Sequence, residues 1–367
     1  MPAVFLCGPL CYRPLLDVIL TAPEDMQDAF VVGWQGLSVP APGAFALVQQ
    51  AGSTVQGSLI AAPSDAALAR LAYFAEAIGL VRQSVRIRST PAADPDAVCF
   101  SAVPTDGTSW ITQDWQVRHA DLAIETAKAV MGGFGSTSAS VLHARLGSIM
   151  VRAASKLRAM ADTAPNLLRR DRGKIDLVAH RQPYAHFFAV EEYDLAFARF
   201  DGTMSPEITR ATFVSADAVT VLPYDPVRDR VLVVEQFRAG PFARGDANPW
   251  QLEAIAGRID PGEAPEDCAR REALEEAGLI LGRLLPVASY YPSPGAKTEF
   301  LYSYVALTDL PDGTAGVFGV EDEAEDIRGH LIALSTLLDL VRSGEVQSAP
   351  LLLTALWLQR ERDHLRL

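Results

Sequence analysis

The segment Gly257–Leu279, GRIDPGEAPEDCARREALEEAGL, constrains this chain more than any other stretch. Pro265 suits the first turn of a helix, where its missing N–H would be unpaired anyway, and Glu266 and Asp267 suit the positive end of the helix dipole. Gly278 is a natural helix stop. The segment therefore predicts loop, helix, loop. On that helix Glu272, Glu275 and Glu276 fall at i, i+3 and i+4, on one face. Like charges so placed cost about 0.2–0.5 kcal/mol per pair, and in the last turns the dipole opposes each anion by roughly 0.3–1 kcal/mol. Arg270 and Arg271 offset part of this. Two readings of these residues stay open. One is a solvated acidic face; the other is a carboxylate cluster for a hard divalent cation such as Mg²⁺, which prefers oxygen ligands.

The fixed positions are Gly257, five residues, Glu263, seven residues, Arg271-Glu272-Ala273, one residue, Glu275-Glu276, one residue, Gly278-Leu279. This pattern resembles the Nudix box. Ala273 is its one departure, small for a position that takes a bulky aliphatic residue. The resemblance implies hydrolysis of nucleoside diphosphates linked to another moiety, with Mg²⁺ (or Mn²⁺) held by the box glutamates. By position Glu272 and Glu276 resemble the metal ligands and Glu275 an assisting carboxylate. Arg271 resembles the arginine that orients a glutamate through charge-assisted hydrogen bonds, and Ala256 the backbone carbonyl ligand that precedes the box glycine.

Residues outside the box are similar to those of the ADP-ribose pyrophosphatase subfamily. Pro294 lies sixteen residues after Gly278, the spacing of that subfamily's marker proline, although SPG also reads as a simple turn. LPYDPVRDRVLVVEQFRAGPF and PWQLEAIAG resemble the approach to the box. In them Arg238 resembles a phosphate-contacting arginine and Glu253 an additional acidic residue near the metals. Arg210, in MSPEITRATF, resembles a substrate-contacting position; both arginines are also compatible with strand ends or surface. In the acidic stretch GVEDEAEDIRGH, Glu323 corresponds to the general base and Glu325 to a further metal contact. The implied reaction turns ADP-ribose into AMP and ribose 5-phosphate. The resemblance also implies a homodimer formed through the stretch HFFAVEEYDLAFARF.

The chain's 367 residues exceed what one hydrophobic core ordinarily organises and suggest two domains. A formal net charge of −13 excludes a broad polyanion-binding surface, and Arg169, Arg170, Arg172 and Lys174 read as a solvated hinge. No nucleic-acid or membrane partner is expected. Cys7, Cys11, Cys99 and Cys268 form no CxxC pair, which fits a reducing cytoplasm. The N-terminus has no basic residue before its apolar run, so it does not read as a signal peptide.

The expected class is α+β. For residues 175–367 the resemblance implies an α/β/α sandwich around a mixed sheet; residues 105–174 read as a helical connector packed on one or both domains, and residues 1–104 as a small barrel-like α+β domain. That front domain resembles the γ-glutamylcyclotransferase-like (AIG2-like) fold. Cys7-Gly8-Pro9-Leu10 stands for the loop after the first strand, and Val55, Gly57 and Leu59 for the second motif. Ala75 falls where that family carries its catalytic glutamate, with Glu76 one residue out, and one residue turns a helical side chain by about 100°. The domain therefore reads as inactive in that sense. The two-part layout is similar to proteins labelled tellurite resistance, but the sequence shows no tellurium chemistry. Three other readings stay open: a Nudix enzyme acting on a nucleotide sugar or NADH, a non-catalytic ADP-ribose sensor, and an active cyclotransferase.

Overall fold

The computed structural model describes residues 2–39, 43–88, 95–162, 167–169, 173–319 and 326–366. It divides into two compact units, Met1–Ala164 and Pro165–Leu367.

The first unit contains β1 (Ala3–Leu6), α1 (Arg13–Ile19), β2 (Gln27–Ser38), β3 (Phe45–Ile60), α2 (Asp65–Ala77), β4 (Val81–Arg86), β5 (Asp96–Ser101) and β6 (Thr108–Ser109). Helices α3 (Thr112–Gly132), α4 (Ala139–Ala144) and α5 (Leu146–Ala161) follow. The strands form one sheet in the order β4-β5-β1-β3-β2-β6, with β1 and β5 parallel. A backbone bridge between Phe30 and Arg88 joins β2 to the stretch after β4, so the sheet curls. Alternation along β1 sorts its side chains: Phe5 and Cys7 enter the core inside the curl, Val4 and Leu6 the core beneath the helices.

Two further features shape this unit. The helical stretch set apart as a connector over 105–174 supplies Trp115, Ala120, Ala127, Val130, Leu142 and Ile149 to the same core as β1 and α2. Its apolar face is thus spent within the first unit. It is also broken at Arg145, whose backbone leaves the helical region between α4 and α5. In addition, β2 carries no plain alternation because Gly33, at φ +82°, sits in a bulge between Val32 and Trp34.

In the second unit β7 (Ile175–Ala185), β8 (Ala189–Phe197) and β9 (Ile208–Val214) form an antiparallel three-stranded sheet. Then come β10 (Ala218–Asp225), β11 (Arg230–Phe237), α6 (Ala239–Arg244), β12 (Trp250–Glu253), β13 (Ile255–Arg258), α7 (Pro265–Ala277), β14 (Arg283–Tyr290), β15 (Leu301–Leu307), β16 (Val317–Phe318), β17 (Ile327–Ala333), α8 (Leu334–Ser343) and α9 (Ala349–Leu365). The main sheet runs β14-β15-β10-β11-β17-β16, with β12 on β11 and β13 on β10. It is mixed, since β10 and β15 are parallel. Period-two alternation divides its residues between two cores. Val219, Val221, Leu232 and Val234 pack with α7; Leu222, Tyr224, Val231 and Val233 pack with α8 and α9. The layers are therefore helix, sheet, helix. Among the described residues no helix is long and apolar enough to cross a membrane.

Candidate active site

Helix α7 begins with Pro265 in its first turn and ends at Gly278, whose φ of +61° lets the chain leave in the left-handed region. Its inner face is built of small residues, Cys268, Ala269, Ala273 and Ala277, all buried. Ala273, the departure from the box pattern, is fully buried in the core that α7 shares with β10.

Just before the helix, β13 pairs antiparallel with β10, Ala256 opposite Thr220 and Gly257 opposite Val219. Two glutamates of α7 reach this strand. The Glu276 carboxylate, in a residue only 3% exposed, accepts the Ala256 N–H at 3.2 Å. The Glu272 carboxylate lies directly over Gly257: a Cβ built there would stand 1.9 Å from Glu272 Cδ and Oε1. No side-chain-bearing residue fits at 257 without moving Glu272.

Arg271 ties the carboxylates together. Its Nε and one Nη grip both oxygens of Glu263 at 3.0 Å each. The other Nη donates to Glu272 at 2.6 Å and to Glu275 at 3.1 Å. The Arg258 carbonyl accepts a further bond at 3.0 Å. The Glu263 hydrogen bond leads in raising the Arg271 guanidinium far above its ordinary range, so it is a permanent cation. Burial acts to raise the Glu263 carboxyl, but the Arg271 fork and the Asp260 N–H outweigh it and hold it below the usual range. Burial also pushes the Cys268 thiol up, which leaves it an inert filler.

Of the residues picked from sequence, Ala256, Arg271, Glu272, Glu275 and Glu276 are thus brought together around the end of α7 and β13. Arg238 and Glu253 form a second group: Arg238 Nε and Nη2 both donate to Glu253 Oε2, at 2.9 and 2.7 Å. The pairing of β11 with β12 sets this up by placing Val234 opposite Glu253. Arg210 is exposed on β9, in the three-stranded sheet, and donates to the Thr209 carbonyl at 3.1 Å. Pro294 lies in an exposed turn closed by the Ala296 and Lys297 N–H groups on the Ser293 carbonyl. That turn docks on β9 through Phe213 N–H to the Ala296 carbonyl at 2.8 Å. Glu323 and Glu325 lie outside the described residues.

The sequence reading missed two contacts here. Arg258, next to the box glycine, stacks its guanidinium 3.7 Å from the Phe187 ring centroid, a cation–π contact that ties β13 to the β7–β8 turn. His330 Nε2 meets Glu235 Oε2 at 2.8 Å across β11 and β17. A charge adjoining the box glycine was the available signal for the first; the second has none, since the partners are 95 residues apart.

Among the described residues no three His, Cys, Asp or Glu side chains converge on one point as a ready metal cage. The donor set still fits a hard divalent ion. It is all oxygen, Glu272 and Glu276 rest against adjacent backbone positions, and the cradle at Gly257 is kept free of a Cβ.

The NUDIX domain model matches residues 214–352. The chain is 38% identical over 192 residues to the ADP-ribose pyrophosphatase of Escherichia coli (strain K12), spanning 52% of this chain and 91% of that protein. Identity to the ADP-ribose pyrophosphatase of Haemophilus influenzae is 31% over 187 residues, 50% of this chain and 86% of that protein. Identity to the GDP-mannose pyrophosphatase of Pectobacterium atrosepticum is 32% over 175 residues, 47% of this chain and 88% of that protein. The match to the first of these runs through almost its whole length, and the residues matched by the NUDIX domain model take in the box whose glutamates lie against β13. On that footing the chain belongs to the Nudix hydrolase family.

Proposed function

We propose that this chain hydrolyses the pyrophosphate bond of ADP-ribose to give AMP and ribose 5-phosphate, with Mg²⁺ as cofactor and Mn²⁺ as a substitute. The observation that carries the chemistry is the seating of two carboxylates on adjacent backbone positions, Glu272 at Gly257 and Glu276 at Ala256. The choice of substrate rests on the similarity to ADP-ribose pyrophosphatases over most of their length.

In this reading Glu272, Glu276, the Ala256 carbonyl and Glu325 hold the cation. When bound, it neutralises the diphosphate and acidifies a water. Glu323 takes the proton of the attacking water, a role typically worth about 10²–10⁴ in rate. Arg271 keeps Glu272 and Glu275 oriented before substrate arrives. Arg238 binds a phosphate oxygen with its fork steadied by Glu253, while Arg210 and the Pro294 turn contact the moiety beyond the diphosphate. A homodimer through the stretch HFFAVEEYDLAFARF, which holds β8 between β7 and β9, is part of the proposal. Ile175, Leu177, Val178, Tyr184 and Phe187 in this region are more than half or about half exposed, an apolar surface suited to a second copy. The free cysteines fit a cytoplasmic setting.

A second reading, a nucleotide-sugar pyrophosphatase, is favoured by the similarity to GDP-mannose pyrophosphatase. Release of AMP from ADP-ribose and of GMP from GDP-mannose, with and without Mg²⁺, tests both. Mg²⁺-dependent AMP release that collapses in Glu276→Gln supports the first. GMP release in preference to AMP selects the second, and turnover of neither overturns both.

A further inference from the structure

Helix α7 ends against its own charges. Glu275 and Glu276 lie in its last turn, that turn holds no basic residue, and the helix dipole opposes anions at this end. Arg271, one turn back, offsets part of this through Glu275 at 3.1 Å. The backbone cap is closed: the Gly278 N–H donates to the Leu274 carbonyl at 3.0 Å and the Leu279 N–H to the Ala273 carbonyl at 2.9 Å. Leu279 is buried in the core beneath the helix.

A further contact meets this end from β16. A Cβ built on Gly278 would stand 3.4 Å from Phe318 Cε1, so one edge of the ring faces the cap glycine at van der Waals range. The other edge lies over Gly316, where a Cβ would be 2.9 Å from both Cε2 and Cζ. No side chain fits at 316 while the ring keeps its place. Register explains the ring's direction. Phe318 pairs with Ile327, which is fully buried in the core that α7 shares with the sheet. Residues opposite each other in a ladder share a face, so Phe318 turns toward α7. Its neighbour Val317 points the other way and is 69% exposed. The Gly329 N–H, donating to the Gly316 carbonyl at 2.8 Å, holds this stretch on β17.

We propose that Phe318 is a positioning residue for the hydrolysis. Its ring, seated between Gly316 and Gly278, holds the last turn of α7 in place against the dipole and the crowding of Glu275 and Glu276. Glu276 stands two residues before the cap glycine, and its carboxylate meets the Ala256 N–H on β13 at 3.2 Å. A shift of the helix end therefore moves that carboxylate off its seat. Phe318 offers no polar side-chain atom and acts through the helix. Its effect on turnover rests on the hydrolase reading; its effect on the helix end does not.

Hydrogen exchange at the Gly278 and Leu279 amides, beside steady-state AMP release from ADP-ribose with Mg²⁺, tests this on the full chain. In Phe318→Ala both amides should exchange about tenfold faster through local opening, while those of β10 keep their wild-type rates. The kcat should fall about tenfold, inside the roughly 10² that a misplacement of about 1 Å costs, with KM held within about twofold. Gly316→Ala retains the ring but puts a methyl in its place, and should reproduce both effects. Val317→Ala, on the same strand with an exposed side chain, should change neither. Unchanged exchange in Phe318→Ala, or equal acceleration in β10, would overturn the proposal. So would faster exchange with wild-type kcat, which would make the ring structural alone. A wild-type chain that releases no AMP strikes the hydrolase reading, and the exchange rates then decide whether Phe318 holds the helix end.

Discussion

The Glu272 carboxylate fills the volume that a Cβ on residue 257 would need, with Cδ and Oε1 both 1.9 Å from that point. The box glycine is therefore a steric requirement of its own glutamate, independent of any positive φ. Gly257→Ala should push Glu272 aside and cost about 10² in kcat, the scale on which a displacement of about 1 Å acts. Thermal stability should fall far less. Steady-state hydrolysis beside a melting curve checks this, and an alanine variant with full kcat would contradict it.

Glu276 is a buried carboxylate with a backbone N–H as its hydrogen-bond donor. Glu276→Gln keeps a side-chain oxygen able to accept the Ala256 N–H, so the metal-free protein should melt close to wild type. Activity should drop by about 10²–10³, the usual scale for losing one aimed electrostatic group. A stable variant of unchanged kcat would remove Glu276 from the machinery.

The Arg271–Glu263 fork gives stability a pH dependence. The Glu263 carboxyl is depressed in the folded chain, so its contribution is present above the unfolded value of about 4.3 and is lost as pH falls through the lower folded value. Glu263→Gln should cost about 1–3 kcal/mol at pH 7 and flatten the decline below about pH 4.3. Urea unfolding at pH 7, 4 and 3, followed through the transition of the second unit, reads both quantities.

Chelation with EDTA should abolish hydrolysis with little change in far-UV circular dichroism, because Arg271 holds Glu263, Glu272 and Glu275 in place without help. Restoring Mg²⁺ to 100 times its Kd should stabilise the second unit by about 2.7 kcal/mol. A chelated protein that unfolds at room temperature would show the cation to be structural.

Arg238 and Glu253 form one hydrogen-bonded unit, so their variants should not add. The cycle of Arg238→Ala, Glu253→Ala and the double variant should show a coupling of about 0.5–3 kcal/mol in kcat/KM. Additive losses would mean that each touches substrate separately.

What was legible in the sequence followed from local rules. The helix with proline at one end and glycine at the other depends on neighbours a few residues away, and the structure has it at 265–277. The fold of the second unit was expected from the resemblance that the box carries. What sequence could not show depends on partners far along the chain. The Arg238–Glu253 fork needs β11 beside β12, and the Arg258–Phe187 stack needs a hairpin about 70 residues upstream. The helices after residue 111 looked like a connector because their apolar stripe says only that they pack, not on what.

The alanines along the inner side of α7 work as a spacing gauge. With Ala269, Ala273 and Ala277 against the sheet, the two backbones approach closely, and a side chain as short as glutamate spans from helix to strand at both 272 and 276. Leucine at 273, closer to the family pattern, would need the side chains packed around this fully buried position to give way before both carboxylates could keep their seats. The reach of these two glutamates to β13 is set by methyl groups that carry no charge at all.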